Sequence, residues 1–212
     1  MPVSVERLVL SPEYGSNCYV ASASAEAPEA AVVDPGGEPA ALLRLLAGRG
    51  QSTAAILVTH ADVDHIAGVA ELARLTGAEV WIPAGEAEAL RRGTTRHGSA
   101  VAPHDPEHLV HDGDRVEAAG IAFEVIGVPG HSADHVAFAA DGVLFSGDLL
   151  FRDSVGRVDF PGGDWDTLLR SIGRLLERFG PGATVYPGHG EPTTLGRELE
   201  HNPFLDELRA AG

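Results

Sequence analysis

Thr59-His60-Ala61-Asp62-Val63-Asp64-His65 is the stretch that decides the fold. It begins at the end of a predicted buried strand (54–59) and runs into a predicted helix (65–76). Four side chains able to bind metal lie within six residues of this strand-to-helix turn: His60, Asp62, Asp64 and His65. An acid is also favoured at a helix start as a cap, but capping explains Asp64 alone. The stretch therefore predicts a metal site.

Three further residues follow predicted strands in the same way. His131 comes after strand 121–128 through Pro129-Gly130, Asp148 after strand 143–146 through Gly147, and His189 after strand 184–186 through Pro187-Gly188. A glycine beside each of them lets the backbone approach its neighbours closely. Each residue alone is more typical of a cap or a surface side chain, but together they indicate ligands of the same metal site.

The motif series THxDxDH, GH, SGD and PGHG resembles that of the metallo-β-lactamase superfamily, in particular its glyoxalase II-like (hydroxyacylglutathione hydrolase) branch. Further matches are Asn17-Cys18-Tyr19, Asp34-Pro35-Gly36-Gly37, Pro161-Gly162-Gly163-Asp164 and Asn202-Pro203-Phe204. The resemblance implies an α/β fold, a four-layer αββα sandwich of two mixed sheets. It also implies the short form, a single domain over 1–212 without the C-terminal helical domain that binds glutathione.

The resemblance assigns roles to the predicted ligands. His60 and His131 would belong to a first metal, Asp64, His65 and His189 to a second, and Asp148 would bridge the two. The implied cofactor is one or two divalent ions, zinc or iron, with manganese also compatible. The implied reaction is thioester hydrolysis by a metal-bound hydroxide that Asp64 orients, and the implied substrate is a small thiol conjugate.

Asp62 departs from the family pattern, which has His at this position. Either Asp62 ligates the first metal, or it leaves that site empty, or the site is non-catalytic. Two carboxylates and a hydroxide leave two divalent ions with about +1, and a third carboxylate brings the sum to about 0. Such a site suits a harder ion such as iron. We favour Asp62 as a ligand, and it motivates two alternatives to hydrolysis: iron redox chemistry (persulfide dioxygenase-like or flavodiiron-like) and a non-catalytic metal-binding protein.

Composition limits the remaining function classes. The 212 residues carry 31 acidic and 15 basic side chains, a net charge of −16, so nucleic acid is a poor candidate partner. The chain has neither a signal-peptide-like start nor an apolar run long enough for a membrane span. Its single cysteine, Cys18, excludes an internal disulfide, and we expect a cytoplasmic protein. The sequence does not indicate an oligomeric state.

A polar, histidine-rich segment over 96–112 has no clean period and is predicted to be a long mobile loop near the cleft. Its histidines (His97, His104, His108 and His111) are expected to be solvated rather than to bind metal. His135 is expected to support the site from behind the ligands. Arg157 follows the Asp148 motif and is a candidate contact for an anionic substrate.

Overall fold

The computed structural model describes residues 3–211, and most of their strands belong to two six-stranded sheets. The strands of the first sheet are β1 (Ser4–Ser11), β2 (Ser16–Ser22), β3 (Glu29–Val33), β4 (Ser52–Leu57), β5 (Glu79–Pro83) and β6 (His108–Val110). They lie side by side in chain order. The sheet is mixed, because β1 to β3 pair antiparallel and β3 to β6 pair parallel.

The second sheet comes from the C-terminal half. Its strands are β7 (Arg115–Ala118), β8 (Ile121–Gly127), β9 (Val136–Ala140), β10 (Val143–Gly147), β13 (Thr184–Pro187) and β14 (Thr193–Thr194). Their spatial order is β14-β13-β10-β9-β8-β7, and only β10 and β13 pair parallel. A separate hairpin consists of β11 (Leu150–Phe151) and β12 (Ser154–Val155).

Helices connect these strands. They are α1 (Ala40–Arg49), α2 (Val63–Ile66), α3 (Val69–Thr76), α4 (Ala87–Arg92), α5 (Trp165–Arg178), α6 (Leu195–His201) and α7 (Asp206–Ala211), with a 3-10 turn at Pro203–Leu205. Asp164 caps α5, as its sequence position predicts, because its side chain accepts a hydrogen bond from the Thr167 N–H. Within residues 3–211, no helix has both the length and the apolar character that a membrane span requires.

Three apolar clusters define the layers. One lies between the first sheet and its helices, with Leu42, Ile66 and Leu72 buried against Ile56. The middle cluster joins the two sheets and includes Leu57, Phe123, Phe138 and Phe145. The third packs α5 and α6 on the second sheet through residues such as Leu168, Ile172 and Leu195. The predicted αββα sandwich of two mixed sheets is therefore confirmed.

The single helix predicted over 65–76 is wrong, because the chain forms α2 and α3 with a break at Gly68. The Gly68 N–H donates to the Pro35 carbonyl rather than to Asp64, and the Asp64 carbonyl accepts from the Ser16 hydroxyl instead. A Cβ on Gly68 would lie 2.0 Å from the Gly37 carbonyl oxygen. The close approach of the 35–37 turn therefore diverts the helical hydrogen bond.

The prediction of a long loop over 96–112 is only partly correct. Its end forms β6, which pairs with β5, so that His108 lies opposite Trp81 and stacks on its ring. Its beginning folds onto the predicted metal site. The prediction missed β6 because a three-residue strand at a sheet edge has too few residues to show an alternating pattern.

Candidate metal centre

The predicted ligands converge where strands of both sheets end. The 60–65 turn follows β4, and His131, Asp148 and His189 come after β8, β10 and β13. Ligand atoms lie within 4.8 Å of one another in three overlapping groups: His60, His65 and Asp148; His60, Asp62 and His131; Asp64, His65 and His189. All seven residues predicted as ligands are thus brought together, and their mixed imidazole and carboxylate donors suit Zn²⁺, Fe²⁺ or Mn²⁺.

Asp34 orients the His65 ring, a role that sequence analysis missed by treating Asp34 only as part of a turn. His65 Nδ1 lies 3.0 Å from Asp34 Oδ2, and Asp34 also accepts from the Thr59 N–H at 2.8 Å and the Thr59 hydroxyl at 2.7 Å. The buried carboxylate keeps the proton on Nδ1. The Nε2 atom therefore faces Asp148 Oδ1, 3.3 Å away.

His60 and His131 are oriented by the same principle. The Thr59 hydroxyl gives its proton to Asp34, so at 3.0 Å from His60 Nδ1 it accepts from that ring. His131 Nδ1 donates to the Arg157 carbonyl at 2.7 Å. Both rings consequently present the Nε2 lone pair to the interior of the site, which is the form that binds metal.

The loop that carries His189 is held by residues of β2. The Asn17 side chain donates to the carbonyls of Pro187 and Gly190, and the Tyr19 hydroxyl donates to Pro187 at 2.7 Å. This explains why the Asn17-Cys18-Tyr19 match accompanies the metal motifs. Position 188 has no room for a side chain, because a Cβ on Gly188 would lie 2.0 Å from Asp148 Oδ1.

Opposite charges inside the site stabilise one another. Burial alone would lower the pKa of His65, but the carboxylates of Asp148 and Asp34 raise it well above its ordinary value. Burial would raise the pKa of Asp148, but His65 and His189 hold it well below its usual range. The carboxylates of Asp64 and Asp148 therefore make the region between them and His189 favourable for a cation.

Asp62 is bound by an arginine that sequence analysis did not single out. Arg96 Nε lies 2.8 Å from Asp62 Oδ1 and Nη2 lies 2.9 Å from Oδ2, a bidentate pair. Burial alone would raise the pKa of Asp62, but the hydrogen bonds and the positive charge of Arg96 hold it far below its ordinary value. Asp62 is the N-cap residue of α2 by position, yet its side chain makes no capping bond, so capping does not explain its presence.

His97 also belongs to this cluster, contrary to the expectation that it is solvated. Its Nε2 lies 2.9 Å from Asp62 Oδ1, its ring contacts Phe160 with centroids 3.9 Å apart, and its side chain is 16% exposed. Arg96 and His97 are adjacent side chains that can both pair with an acid, and the role of Asp62 was unexplained. The sequence alone does not show that these two side chains contact Asp62.

A buried acid supports the turn from behind. Glu86 accepts from the Ser132 hydroxyl at 2.5 Å and from the Ala61 N–H at 3.2 Å, which ties the His60 turn to the segment after His131. Burial raises the pKa of Glu86. Since Ala61 lies between His60 and Asp62, Glu86 fixes the backbone that places both of them.

The other predicted residues lie around this centre rather than in it. His135 is fully buried, with its ring centroid 4.8 Å from that of His60, and burial lowers its pKa to about 3, so it is neutral. The Arg157 guanidinium pairs with Asp159 and lies over the Phe160 ring, and its substrate role stays a prediction. His111 is exposed.

Access to the centre is uneven. The side chains of His60 and His65 are fully buried, and those of Asp64 and His189 are 13% and 30% exposed. Phe151 packs edge-on against the His189 ring. Arg96 and His97 cover the side that carries Asp62. Of these ligand side chains, that of His189 is therefore the most exposed.

Comparison with known proteins agrees with this geometry. The family model described as "Metallo-beta-lactamase superfamily" matches residues 12–189. Hydroxyacylglutathione hydrolase GloC of Haemophilus influenzae is 31% identical over 185 residues, which cover 84% of this chain and 87% of that protein.

Two solved structures share the fold over nearly the whole chain. The crystal structure of the BLEG-1 B3 metallo-β-lactamase is 33% identical, with a TM-score of 0.88, and covers 96% of this chain and all of that one. The crystal structure of TTHA1623 in a di-iron-bound form is 38% identical, with a TM-score of 0.79 over 94% of this chain and all of that one.

Proposed function

The chain belongs to the metallo-β-lactamase superfamily, and from this premise we propose that it is a metal-dependent hydrolase that cleaves thioesters of small thiols. Superfamily membership and the hydroxyacylglutathione hydrolase relative support a metal-dependent hydrolase. The thioester class rests on the activity that gives this relative its name and on the match to the same motif series.

One observation carries the metal-dependent part of the proposal. His60 Nε2, His65 Nε2 and Asp148 Oδ1 are buried and make no hydrogen bond within residues 3–211. Buried polar atoms are rarely left without a partner, because each costs free energy on folding. These three atoms lie within 4.8 Å of one another, so a single ion fits all of them.

A bound divalent ion would polarise the substrate carbonyl and acidify a water molecule at neutral pH. The side chains of this protein would then supply the proton handling. Asp64 Oδ2 lies 3.2 Å from His189 Nε2 at the open side of the centre. Asp64 is therefore placed to orient the attacking water and to accept its proton, and the exposed edge of His189 borders the substrate.

The test is thioester turnover by protein reconstituted separately with Zn²⁺, Fe²⁺ and Mn²⁺. A hydroxyacylglutathione is the substrate, release of the free thiol is the readout, and a β-lactam is assayed in parallel. We expect metal-dependent thiol release that Asp64→Asn reduces at least 100-fold. Asp105→Asn is the matched control, because that exposed carboxylate pairs with Arg91 on the surface.

Absence of thiol release from every metal-loaded form, across several acyl thioesters, would contradict the proposal. β-Lactam cleavage without thiol release would replace the substrate class while leaving the hydrolase in place.

Iron-dependent redox chemistry is the second candidate. A relative crystallised in a di-iron-bound form favours it, since that relative is 38% identical to this chain. Iron in protein purified without added metal, together with oxygen uptake in the presence of a persulfide, would support this candidate over hydrolysis.

A further inference from the structure

The Arg96 guanidinium contacts Asp62 and His131, two of the residues that would hold the first metal. A guanidinium has five N–H donors, and here five acceptors surround it. Nε and Nη2 donate to the two oxygens of Asp62, and Nη2 also lies 2.9 Å from His131 Nε2. Nη1 donates to the carbonyls of His131 at 2.7 Å and Pro161 at 3.3 Å. The group is saturated by the protein.

The contact with His131 uses the atom that a first metal would need. In the tautomer whose Nδ1 donates to the Arg157 carbonyl, the lone pair lies on Nε2, which is also 3.1 Å from Asp62 Oδ2. Arg96 Nη2 donates into that lone pair. One lone pair in the ring plane serves one partner, so Arg96 and a metal ion compete for it directly.

The charge and the burial of Arg96 also disfavour a metal ion beside His131. Arg96 and Asp62 side chains are 14% and 10% exposed, and arginine stays protonated at any pH at which the protein is folded. A divalent ion beside His131 would therefore face a fixed positive charge in a largely desolvated site. In the part of the chain described, by contrast, no arginine forms a hydrogen bond or ion pair with Asp64, His65, Asp148 or His189.

We propose that Arg96 replaces the first metal ion of the dinuclear motif, so that the protein binds one ion, whose donors come from His60, Asp64, His65, Asp148 and His189. Asp62 then serves as the anchor of Arg96 rather than as a metal ligand. This inference rests on the metal centre of the proposed function, and it concerns the number of ions rather than the reaction.

The test is metal stoichiometry. Wild type, Arg96→Met and Arg91→Met are stripped with a chelator, titrated with Zn²⁺ in a calorimeter, and analysed for zinc after dialysis. Arg91 is the matched control, because its guanidinium also pairs with an aspartate, Asp105, but at the surface. We expect one Zn²⁺ per chain for wild type and Arg91→Met, and a second equivalent for Arg96→Met.

A double variant, Asp62→His with Arg96→Met, guards against the single variant failing to fold. It restores the family motif and leaves no buried carboxylate unpaired, so we expect two Zn²⁺ per chain. Two ions of similar affinity in wild type, or one ion in both folded variants, would overturn the inference. Two ions in wild type would leave the proposed hydrolase standing, whereas no bound ion would overturn both proposals.

Discussion

Replacing Asp34 by Asn tests how the orientation of the His65 imidazole affects metal binding, without changing any of the predicted metal ligands. Asp34 Oδ1 accepts from the Thr59 N–H, and Oδ2 accepts from the Thr59 hydroxyl and from His65 Nδ1. Asn keeps the first bond but places an NH₂ group where Oδ2 was. In the neutral form of His65, which is the form that binds metal, Nδ1 must then accept from this amide, and the proton lies on Nε2, the atom that faces Asp148.

The expected effect follows from this change of tautomer. A ring protonated at Nε2 offers no lone pair to an ion, so binding must first restore the less favourable tautomer. Loss of the carboxylate partner of a metal-binding histidine typically costs 10- to 100-fold in metal affinity, about 1.4 to 2.8 kcal/mol. Folding stability should fall less, by about 1 kcal/mol, because Thr59 can rotate its hydroxyl to accept from the amide.

The assay is Zn²⁺ affinity by competition with a chromophoric chelator, with thermal unfolding of the metal-free protein measured in parallel. Glu198→Gln is the matched control: its buried carboxylate accepts from the Asp153 N–H at 2.8 Å and from Asn202 at 2.9 Å, outside the metal centre. We expect weaker Zn²⁺ binding only in Asp34→Asn. Equal affinity in Asp34→Asn and wild type would refute the reasoning.

Three further predictions address the ligands and the scaffold. Asp148→Ala should abolish stoichiometric zinc binding, whereas Asp105→Ala should not, and elemental analysis of the dialysed proteins decides it. Gly188→Ala should lower both zinc affinity and the melting temperature, since its Cβ would lie 2.0 Å from Asp148 Oδ1; wild-type values for both would disprove the steric argument. Although burial opposes it, the Gly127 N–H and Arg174 hold the pKa of Asp112 below its usual value, so this carboxylate stabilises the fold above about pH 4. Asp112→Asn should therefore cost about 0.5 kcal/mol at pH 7, and in urea titrations the difference should vanish as the pH falls through the lowered pKa.

The position of the site in the fold was predictable because each metal motif directly follows a strand. His60, His131, Asp148 and His189 each follow a buried strand, and the ends of these strands meet at one edge of the sandwich. Runs of strands interrupted by helices predict a layered α/β protein with mixed sheets, and the arrangement as a sandwich of two sheets is what the family resemblance implies.

What the sequence could not predict depends on contacts between distant segments. The helix over 65–76 has an unbroken apolar period, and the break at Gly68 comes from a hydrogen bond to Pro35. Asp34 was predicted only as part of a turn, because the segment 34–37 has the composition of a turn. Its hydrogen bond to His65 joins residues 31 positions apart. Periodicity describes one element at a time, so neither contact leaves a local pattern.

Asp62 and Arg96 are best understood as one feature of the molecule, although 34 positions separate them. The family has a neutral imidazole where Asp62 stands, and the pair formed by Asp62 and Arg96 is also neutral overall. A buried ion pair loses stability when either partner is removed, because the remaining charge is left uncompensated. Changing Asp62 to His alone would therefore leave Arg96 buried beside two imidazoles and would not recreate the family site. The departure at position 62 has its physical explanation at position 96, where the guanidinium supplies the positive charge that the carboxylate requires.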